Sequence, residues 1–367
     1  MDGADFLVIG GGIAGLSAAA RLARHGRVLV LEAEDALGYH SSGRSVSFSH
    51  YGIGNAAVRG LTAHSRAFFE LPPEDFSPVP LSRTFASLYF ANDENLPALA
   101  TLRADMAAFT DAIRILDEAE TRALCPVLRS PRRGLLDPTG LKLDADALLQ
   151  SFARQVRAAG GEIRTGQRIA AIEHEGDRWI VDGRHAAPVL VNAAGAWADA
   201  LAALAGVAPL GLLPRRRTII AVDPPAGMDI SAWPFAHSAA GDFYMLPEAG
   251  RILVSPVDEV ADDPCDAQPE EYDLALAADR LEHYTTVPVT RIAHRWAGLR
   301  TFAADRTPTA GFAPDAPGFL WLCGQGGYGL QTAPAMAAAV ESLVAGTAWP
   351  LPDLSPAQIA PARLLPA

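Results

Sequence analysis

Two features near the N-terminus have the chemistry of a nucleotide-binding turn. Residues Gly10–Gly15 match the pattern G-x-G-x-x-G between a predicted strand and a predicted helix. Gly10 permits the tight turn, Gly12 lets a pyrophosphate approach the backbone, and Gly15 lets the helix pack closely on the strand. Glu32 follows at the end of the next predicted strand, where a carboxylate can accept ribose hydroxyls. Together these features predict a dinucleotide site rather than a glycine-rich turn that binds nothing.

Three later segments suit other parts of such a cofactor. The loop Gly38–Ser45 combines small hydroxyl residues with a cation and suits a pyrophosphate, although a solvated turn explains it equally well on its own. The segment Leu190–Trp197 is a buried strand that ends in small residues, as either a cofactor or tight core packing would require. The segment Leu322–Gln331 is a second glycine-rich strand-to-helix turn, which can direct backbone N–H groups at negative charge. A plain loop is its alternative.

Two arginines are candidates for gripping an acidic substrate. A free amino acid presents a carboxylate, and arginine is the side chain that binds a carboxylate through two parallel hydrogen bonds. Arg300 ends the predicted strand 291–300, and Arg217 lies on the strand after Pro214, although its neighbours Arg215 and Arg216 leave the assignment open. A surface cation is the ordinary alternative.

The elements that must position these residues follow an α/β pattern. Residues 5–9 and 27–31 read as buried strands on either side of a helix at 13–24. Further strands are predicted at 81–92, 162–164, 169–174, 179–181, 188–192, 218–222, 243–246, 252–255, 291–300 and 319–323, and helices at 96–109, 144–159, 197–205, 270–284 and 332–345. Such units at the start, middle and end predict a nucleotide domain built from 1–80, 138–210 and 296–367. An inserted domain would comprise 81–137 and 211–295.

Composition excludes several function classes. The chain has 367 residues and a net charge of -12, which disfavours a nucleic-acid partner. Lys142 is the only lysine, so Schiff-base chemistry has a single candidate. The three cysteines lie far apart and no histidine has metal-ligand spacing, so neither a disulfide framework nor a metal site is predicted.

The location expected from the sequence is cytoplasmic. No secretory segment precedes the first motif, which begins within ten residues of Met1. The most apolar stretch, residues 186–214, carries Asn192, Asp199 and Pro209. It therefore predicts buried strand, loop and helix rather than a membrane span. Peripheral contact with an inner membrane remains open.

These motifs together resemble a known family. Gly10–Gly15 with Glu32, Asn192–Trp197, the segment Asp305–Gly311 and Gly324–Gln331 are similar, in this order, to the FAD-dependent D-amino acid oxidase superfamily. Within it, the chain most resembles bacterial D-arginine dehydrogenase-like enzymes over nearly its whole length. The other similar stretches are Gly38–Ser41, Val127–Arg129, Asp137–Gly140, Arg215–Arg217 and Trp296–Arg300. The resemblance implies an α/β fold with a Rossmann-like FAD-binding domain of this type and an inserted β-rich α+β substrate domain.

The resemblance also implies how FAD is held. The adenosine end would lie on the unit Gly10–Glu32 and the isoalloxazine between the loop Ser41–Ser45 and the turn Gly324–Gln331, whose helix dipole would stabilise the anionic reduced flavin. No cysteine lies between Cys265 and Cys323, where some relatives attach the flavin, so noncovalent FAD is predicted. Cys323 itself is expected to be a small buried residue. The residues expected to contact FAD are Gly10, Gly12, Ala14, Gly15, Glu32, Ala33, Ser41, Ser42, Gly43, Arg44, Ser45, Ile169, Ala194, Gly195, Trp197, Gly324, Gly326, Gly327, Tyr328, Gly329 and Gln331.

Substrate residues follow from the same resemblance. The family's carboxylate-binding arginine coincides with Arg300, and Tyr244 and Tyr51 match family tyrosines, for which a half-buried aromatic with a wet tip is the alternative. The stretch Val46–His50 is shorter than in the relatives, so His50 is the candidate counterpart of their active-site histidine. Where the relatives have an acid, residues 83–87 read Arg-Thr-Phe-Ala-Ser. A basic substrate side chain would lack its partner, so D-arginine is expected to be a weak substrate and apolar, aromatic or small D-amino acids better ones.

The function predicted is FAD-dependent oxidative deamination of a D-amino acid. A hydride would leave Cα of the neutral amine for flavin N5, and the imino acid would hydrolyse to a 2-oxo acid and ammonia. The contribution of Arg300, Arg217 and Tyr244 is positional, and no strong general base is predicted. The partners expected are the amino acid and an electron acceptor, which is a quinone, an electron carrier or O2. The alternatives are an oxidase of a secondary amine (sarcosine, glycine, proline) or a 2-hydroxy acid, and a non-catalytic FAD-containing subunit.

Overall fold

A computed structural model describes residues 2–365 of the chain. Its strands are β1 Asp2–Gly3, β2 Phe6–Ile9, β3 Val28–Leu31, β4 Phe48–Ser49, β5 Ser82–Thr84, β6 Ser87–Ala91, β7 Arg114–Leu116, β8 Arg133–Asp137, β9 Leu141–Leu143, β10 Glu162–Arg164, β11 Ile172–Glu175, β12 Arg178–Val181, β13 His185–Ala187, β14 Val189–Asn192, β15 Leu213–Val222, β16 Phe235–Ser238, β17 Tyr244–Glu248, β18 Arg251–Ser255, β19 Val260–Ala261, β20 Ile292–Phe302, β21 Thr309–Phe312 and β22 Phe319–Cys323. Its α-helices are α1 Ile13–Leu22, α2 Ala56–Glu70, α3 Leu96–Ala107, α4 Glu118–Leu124, α5 Ala145–Ala158, α6 Ala198–Leu204, α7 Glu271–Tyr284, α8 Gly329–Ala345 and α9 Pro356–Ile359. Short 3₁₀ helices cover Gly195–Trp197 and Pro361–Leu364.

A six-stranded sheet forms one half of the molecule. Its strand order is β10-β3-β2-β14-β22-β21, and every pair is parallel except β21 with β22. The central strands β2, β3, β14 and β22 are buried almost throughout, as strands covered on both faces must be. Helices α1, α5 and α8 pack against one face, and α6 with the small sheet β11–β13 packs against the other. The predicted α/β class with a Rossmann-like FAD-binding fold is confirmed.

A nine-stranded sheet forms the other half. Its order is β19-β15-β18-β17-β16-β6-β8-β7, and β20 pairs with β15 along ten residues of register. One face is covered by α4 and α7 around a large apolar cluster. The opposite face carries a smaller cluster of aromatic and aliphatic side chains that includes Phe235 and Tyr244. This second face bears the residues of the candidate site.

Some elements differ from those the sequence predicted. The predicted strand 81–92 is two strands, β5 and β6. Helix α2 was not predicted at all. It begins at the cap residue Asn55, whose side chain accepts a hydrogen bond from Val58 N at 3.1 Å, and it contains Gly60, which weakens the helical pattern. The helix is stabilised by packing on α8, through a hydrogen bond from Ala335 N to Ser65 Oγ at 3.1 Å, which sequence periodicity does not show. Within residues 2–365, no helix combines the length and apolar character needed to cross a membrane.

Candidate active site

The glycine-rich turn between β2 and α1 is built as its spacing requires. Gly10 has a φ of +114°, and a Cβ placed there would lie 2.4 Å from the carbonyl oxygen of Ala193. A Cβ on Gly15 would lie 1.9 Å from the carbonyl oxygen of Gly10, so this turn of helix can approach the strand only without a side chain. Gly12 is the N-cap of α1 and offers no side-chain cap. Ser42 Oγ accepts a hydrogen bond from Ile13 N at 3.0 Å, and the N–H groups that follow in the first turn of α1 are available to an anion.

Glu32 lines the first cavity of the candidate site. Its carboxylate accepts hydrogen bonds from Gly11 N at 2.5 Å and Glu34 N at 2.9 Å, so it is fixed where β3 ends beside the turn. The cavity has a volume of about 210 Å³, many times what one water molecule occupies, and is therefore of ligand size. Ten of the residues expected to contact FAD line it: Gly10, Gly12, Glu32, Ala33, Ser41, Ser42, Ile169, Ala194, Gly195 and Trp197. A fixed carboxylate, a free helix N-terminus and small residues are what the adenosine and pyrophosphate of FAD require.

The loop that crosses this cavity is held by its own contacts. Gly43 N donates to the carbonyl of Gly38 at 2.8 Å, and Ser41 Oγ donates to the carbonyl of Leu299 at 2.5 Å. Arg44 lines neither cavity. Its guanidinium donates to the carboxylate of Asp266 and to the carbonyls of Ala267 and Ala297, at 3.0 and 3.1 Å. Arg44 thus ties the loop to the nine-stranded sheet, and its direct contact with the cofactor stays a prediction, as do those of Ala14, Gly15 and Gly43.

A row of polar rings forms one wall of the second cavity. Tyr89 on β6 is paired in register with His237 on β16, which is paired with Tyr244 on β17. Because these strands are neighbours, the three side chains project from the same face of the sheet. The ring centroids of Tyr89 and His237 lie 4.9 Å apart, and those of His237 and Tyr244 lie 5.9 Å apart. We call these three residues the ring row.

Arg300 brings an unpaired charge into this cavity. It lies on β20 opposite Arg215, is only 6% exposed, and its Nη1 has no hydrogen-bond partner in the described structure. Burial, reinforced by the charge of Arg217, lowers the pKa of Arg300 to about 10. The guanidinium remains charged at neutral pH, and a buried cation without a partner is costly. An anionic ligand could supply the missing hydrogen bonds.

Of the three consecutive arginines on β15, only Arg217 lines the cavity. Its Nε donates to the carbonyl of Asp258 at 2.8 Å, and its Nη2 lies 3.3 Å from Glu259 Oε1. Arg216 points to the opposite face, because side chains alternate along a strand, and is bound by Asp262, Asp273 and Glu270. Arg216 therefore has a structural role, whereas Arg217 lines the cavity.

The two predicted tyrosines occupy different places. Tyr244 lines the cavity, where burial raises its pKa and the nearby charges of Arg217 and Arg300 oppose that rise. Its hydroxyl is therefore a neutral donor beside two cations. Tyr51 lines neither cavity. Its ring stacks on Phe109 with centroids 6.2 Å apart, and its carbonyl accepts from Arg59 Nε at 2.8 Å, so a substrate contact by Tyr51 stays a prediction.

His50 lines the cavity and is held from two sides. Its Nδ1 lies 2.6 Å from the hydroxyl of Tyr89, and its backbone N–H donates to Gln331 Oε1 at 3.3 Å. Gln331 Nε2 in turn donates to Thr62 Oγ1 at 2.7 Å and so joins α8 to α2. Burial, helped by the charge of Arg59, lowers the pKa of His50 to about 3. His50 is thus a neutral imidazole throughout the physiological range.

Two residues of the site were missed from the sequence. His237 lies on β16, which was not predicted, and Tyr89 lies in a predicted strand but has no motif around it. The alternation of Phe235 and His237 in a short run before Ser238 was the available signal for a strand. It could not show that β16 pairs in parallel with the distant β6.

The glycine-rich turn before α8 meets the ring row from the other side. Gly327, Tyr328 and Gln331 line the second cavity together with Ser45 of the loop. Tyr328 is the N-cap of α8 and makes no side-chain cap, so the first N–H groups of α8 remain free at the turn. These groups suit the negative charge that develops on a reduced flavin ring. Gly324, Gly326 and Gly329 do not line the cavity, so their cofactor contacts stay predictions.

The lining of the second cavity limits the charge it can accept. Among the described residues, its lining contains no aspartate or glutamate and no cysteine. Residues 83–87 contain no acidic side chain, and Arg83 lies over the ring of Phe85 at 4.6 Å. Cys323 is fully buried, as expected. Within residues 2–365, no group of three or more His, Cys, Asp or Glu side chains could hold a metal ion.

Comparison with known proteins agrees with this geometry. The sequence profile of the family described as FAD dependent oxidoreductase matches residues 5–343. The hydrogen cyanide synthase subunit HcnC of Pseudomonas aeruginosa is 23% identical, over 96% of this chain and 94% of that protein.

Two solved structures share the fold. L-proline dehydrogenase from P. horikoshii has a TM-score of 0.85 at 20% identity, covering 99% of this chain and 98% of its own. Glycine oxidase from Geobacillus kaustophilus has a TM-score of 0.83 at 20% identity, covering 98% of this chain and 99% of its own. At such identities these likenesses establish the fold and leave the substrate open.

Proposed function

This chain belongs to the FAD dependent oxidoreductase family, and from that premise we propose that it oxidises the Cα–N bond of a D-amino acid whose side chain is not basic. The product is an imino acid, which water hydrolyses to a 2-oxo acid and ammonia. The observation that carries the proposal is the buried guanidinium of Arg300, unpaired within residues 2–365, at the wall of the second cavity. An α-carboxylate supplies the partner that this cation lacks.

The residues of the first cavity suit the adenosine and pyrophosphate of FAD, and the turn before α8 with Ser45 suits its ring. Since no cysteine lines either cavity in the described structure, we propose noncovalent attachment. Bound FAD supplies a two-electron acceptor, and the protein supplies binding, orientation and charge. Each remaining step concerns side chains of this chain.

The carboxylate clamp orients the substrate. Arg300 offers two N–H groups to one carboxylate, and the neutral hydroxyl of Tyr244 can donate a third hydrogen bond. Arg217 is already engaged by Asp258 and Glu259, so it contributes mainly its charge. Fixing one end of the substrate limits the directions that the α-hydrogen can take, which lowers the entropic cost of reaching the reactive geometry.

No side chain at the site acts as a lasting proton acceptor near neutral pH. The pKa of His50 is lowered to about 3, and burial and the neighbouring His50 lower the pKa of His237 well below its ordinary value. Neither imidazole can hold a proton taken from an ammonium group. The substrate must therefore be oxidised as the neutral amine, which becomes more abundant as the pH rises.

A second candidate is oxidation of glycine or a secondary amine such as proline. Glycine oxidase and L-proline dehydrogenase, which share the fold, make this candidate plausible, and the same carboxylate clamp would serve it. The similarity to a cyanide synthase subunit also keeps the non-catalytic subunit as a rival.

A substrate panel tests the proposal. The purified yellow protein is mixed anaerobically with single D- and L-amino acids, glycine, sarcosine, proline and 2-hydroxy acids while the flavin absorbance is followed. Bleaching by neutral D-amino acids ahead of all others supports the proposal. Bleaching by proline, sarcosine or a 2-hydroxy acid alone assigns one of the alternatives, and a flavin bleached by none favours the non-catalytic subunit.

A further inference from the structure

His237 is the member of the ring row whose polar atoms remain free. The hydroxyl of Tyr89 is engaged by His50, and that of Tyr244 faces Ser255 and the two arginines. His237 makes ring contacts only: its centroid lies 3.9 Å from that of Phe235 and 5.1 Å from that of His50. Its Nε2 is buried and has no hydrogen-bond partner in the described structure.

His237 Nε2 lacks a hydrogen-bond partner within the described structure, so a bound molecule could supply one. A buried polar group without a hydrogen bond destabilises the folded protein, and native structures keep few of them outside functional sites. Burial and His50 keep the ring neutral, so it offers one donor and one acceptor. The missing partner is therefore a group that can donate or accept a hydrogen bond.

The distance between neighbouring strands indicates which part of a bound substrate would lie beside His237. A carboxylate at Arg300 and Tyr244 places Cα next to β17, and β16 is one strand, about 4.8 Å, further along the row. The cavity continues past His237 to Tyr89, Leu102 and Ala239. An amino group ends one bond from Cα, whereas a side chain can occupy this extension.

We propose that His237 forms a hydrogen bond with the side chain of the substrate, and that the preferred substrates are D-amino acids with neutral, hydrogen-bonding side chains such as amides. This inference rests on the proposed function and narrows its substrate class. A basic side chain finds no carboxylate in the cavity, and an acidic one finds only neutral imidazoles beyond the clamp. An amide can donate to Nε2 or accept from it, whichever tautomer the ring adopts.

The test compares two substrates of nearly equal shape, D-asparagine and D-leucine. H237F keeps a ring in the row but removes both polar atoms, and H237Q keeps a donor and an acceptor. H174F is the matched control, because His174 is exposed on β11 in a different sheet. The measurement is kcat/KM for both substrates with each holoprotein, after equal flavin content has been verified.

Loss of one neutral hydrogen bond predicts that H237F lowers the D-asparagine to D-leucine ratio of kcat/KM about tenfold. H237Q should restore most of that ratio, and H174F should leave it at the wild-type value. An unchanged ratio in H237F would overturn the inference. If kcat/KM falls equally for both substrates, His237 lies against the shared amino group, and if neither value changes, His237 does not contact the substrate. Either result leaves the proposed function intact, whereas wild-type protein that oxidises no D-amino acid overturns the function itself.

Discussion

Replacing Arg300 by methionine should weaken substrate binding and at the same time stabilise the protein. The side chain is buried and unpaired in the described structure, and its pKa falls from 12.5 to about 10. That fall corresponds to about 3 kcal/mol of unfavourable free energy for holding the charge in the fold. At pH 7 the group is protonated in both the folded and the unfolded states, so the cost is fully present, and it fades only as the pH rises above 10.

Methionine has a similar length and no charge, so R300M removes this cost. We expect the melting temperature of the holoprotein to rise by about 5 °C. The same change removes the cation that meets the carboxylate, which costs on the order of 2–5 kcal/mol. The KM for an amino acid should therefore rise at least about 30-fold, measured by steady-state kinetics beside a thermal melt.

Arg216 provides the matched control. It is buried on β15, the strand beside the β20 strand of Arg300, and it forms ion pairs with acidic side chains. R216M leaves Asp273 buried without its cation, so stability should fall by about 3–5 kcal/mol. The opposite signs for the two arginines distinguish an unpaired ligand-binding cation from a structural one. A lower melting temperature in R300M, or a wild-type KM, would refute the reasoning.

Three further outcomes follow from the site. G15A should abolish FAD retention, because its Cβ would overlap the Gly10 carbonyl. The control G176A has open space for a Cβ at a φ of +61° and should lower stability by only about 1 kcal/mol. Flavin content after gel filtration distinguishes the two variants. The pH profile of kcat/KM should rise as the substrate amine loses its proton and show no ionisation from His50 between pH 5 and about 9, because the pKa of His50 is lowered to about 3. Burial lowers the pKa of His237 as well, and a second ionisation in that range would contradict this expectation. Y244F should raise KM about tenfold with little change in kcat, because one neutral hydrogen bond to the carboxylate is lost, and an unchanged KM would remove that hydroxyl from the clamp.

Local sequence patterns predicted the nucleotide-binding half well. The strands β10 and β22 have the predicted bounds, and the turn at Gly10–Gly15 joins the strand and helix expected of it. Buried parallel strands are short apolar runs bounded by glycine, and the helices beside them carry strong periodicity. These signals lie within about 30 residues of each other, so they need no knowledge of distant pairing.

The substrate side of the site depended on contacts that are distant in sequence. The ring row exists only because β16 pairs with β6 and β17, and no local pattern specifies such pairing. Alternation along β15 separates Arg216 from its neighbours, but only the sheet shows which face meets the cavity. In the same way, the sequence could not show that the guanidinium of Arg44 binds Asp266 and two distant carbonyls, and its contact with the cofactor stays a prediction.

We propose that the Arg300 guanidinium binds the substrate carboxylate beside the flavin. The test is an anaerobic titration of the holoprotein with its best amino acid and with the corresponding carboxamide, which lacks the negative charge that Arg300 binds. Because the carboxamide also has a less basic amine, the two concentrations are compared as neutral amine. We expect the acid to bleach the flavin at concentrations at least about 30-fold lower than the amide, and R300M to remove this difference. Equal bleaching by acid and amide in the wild-type protein would contradict it.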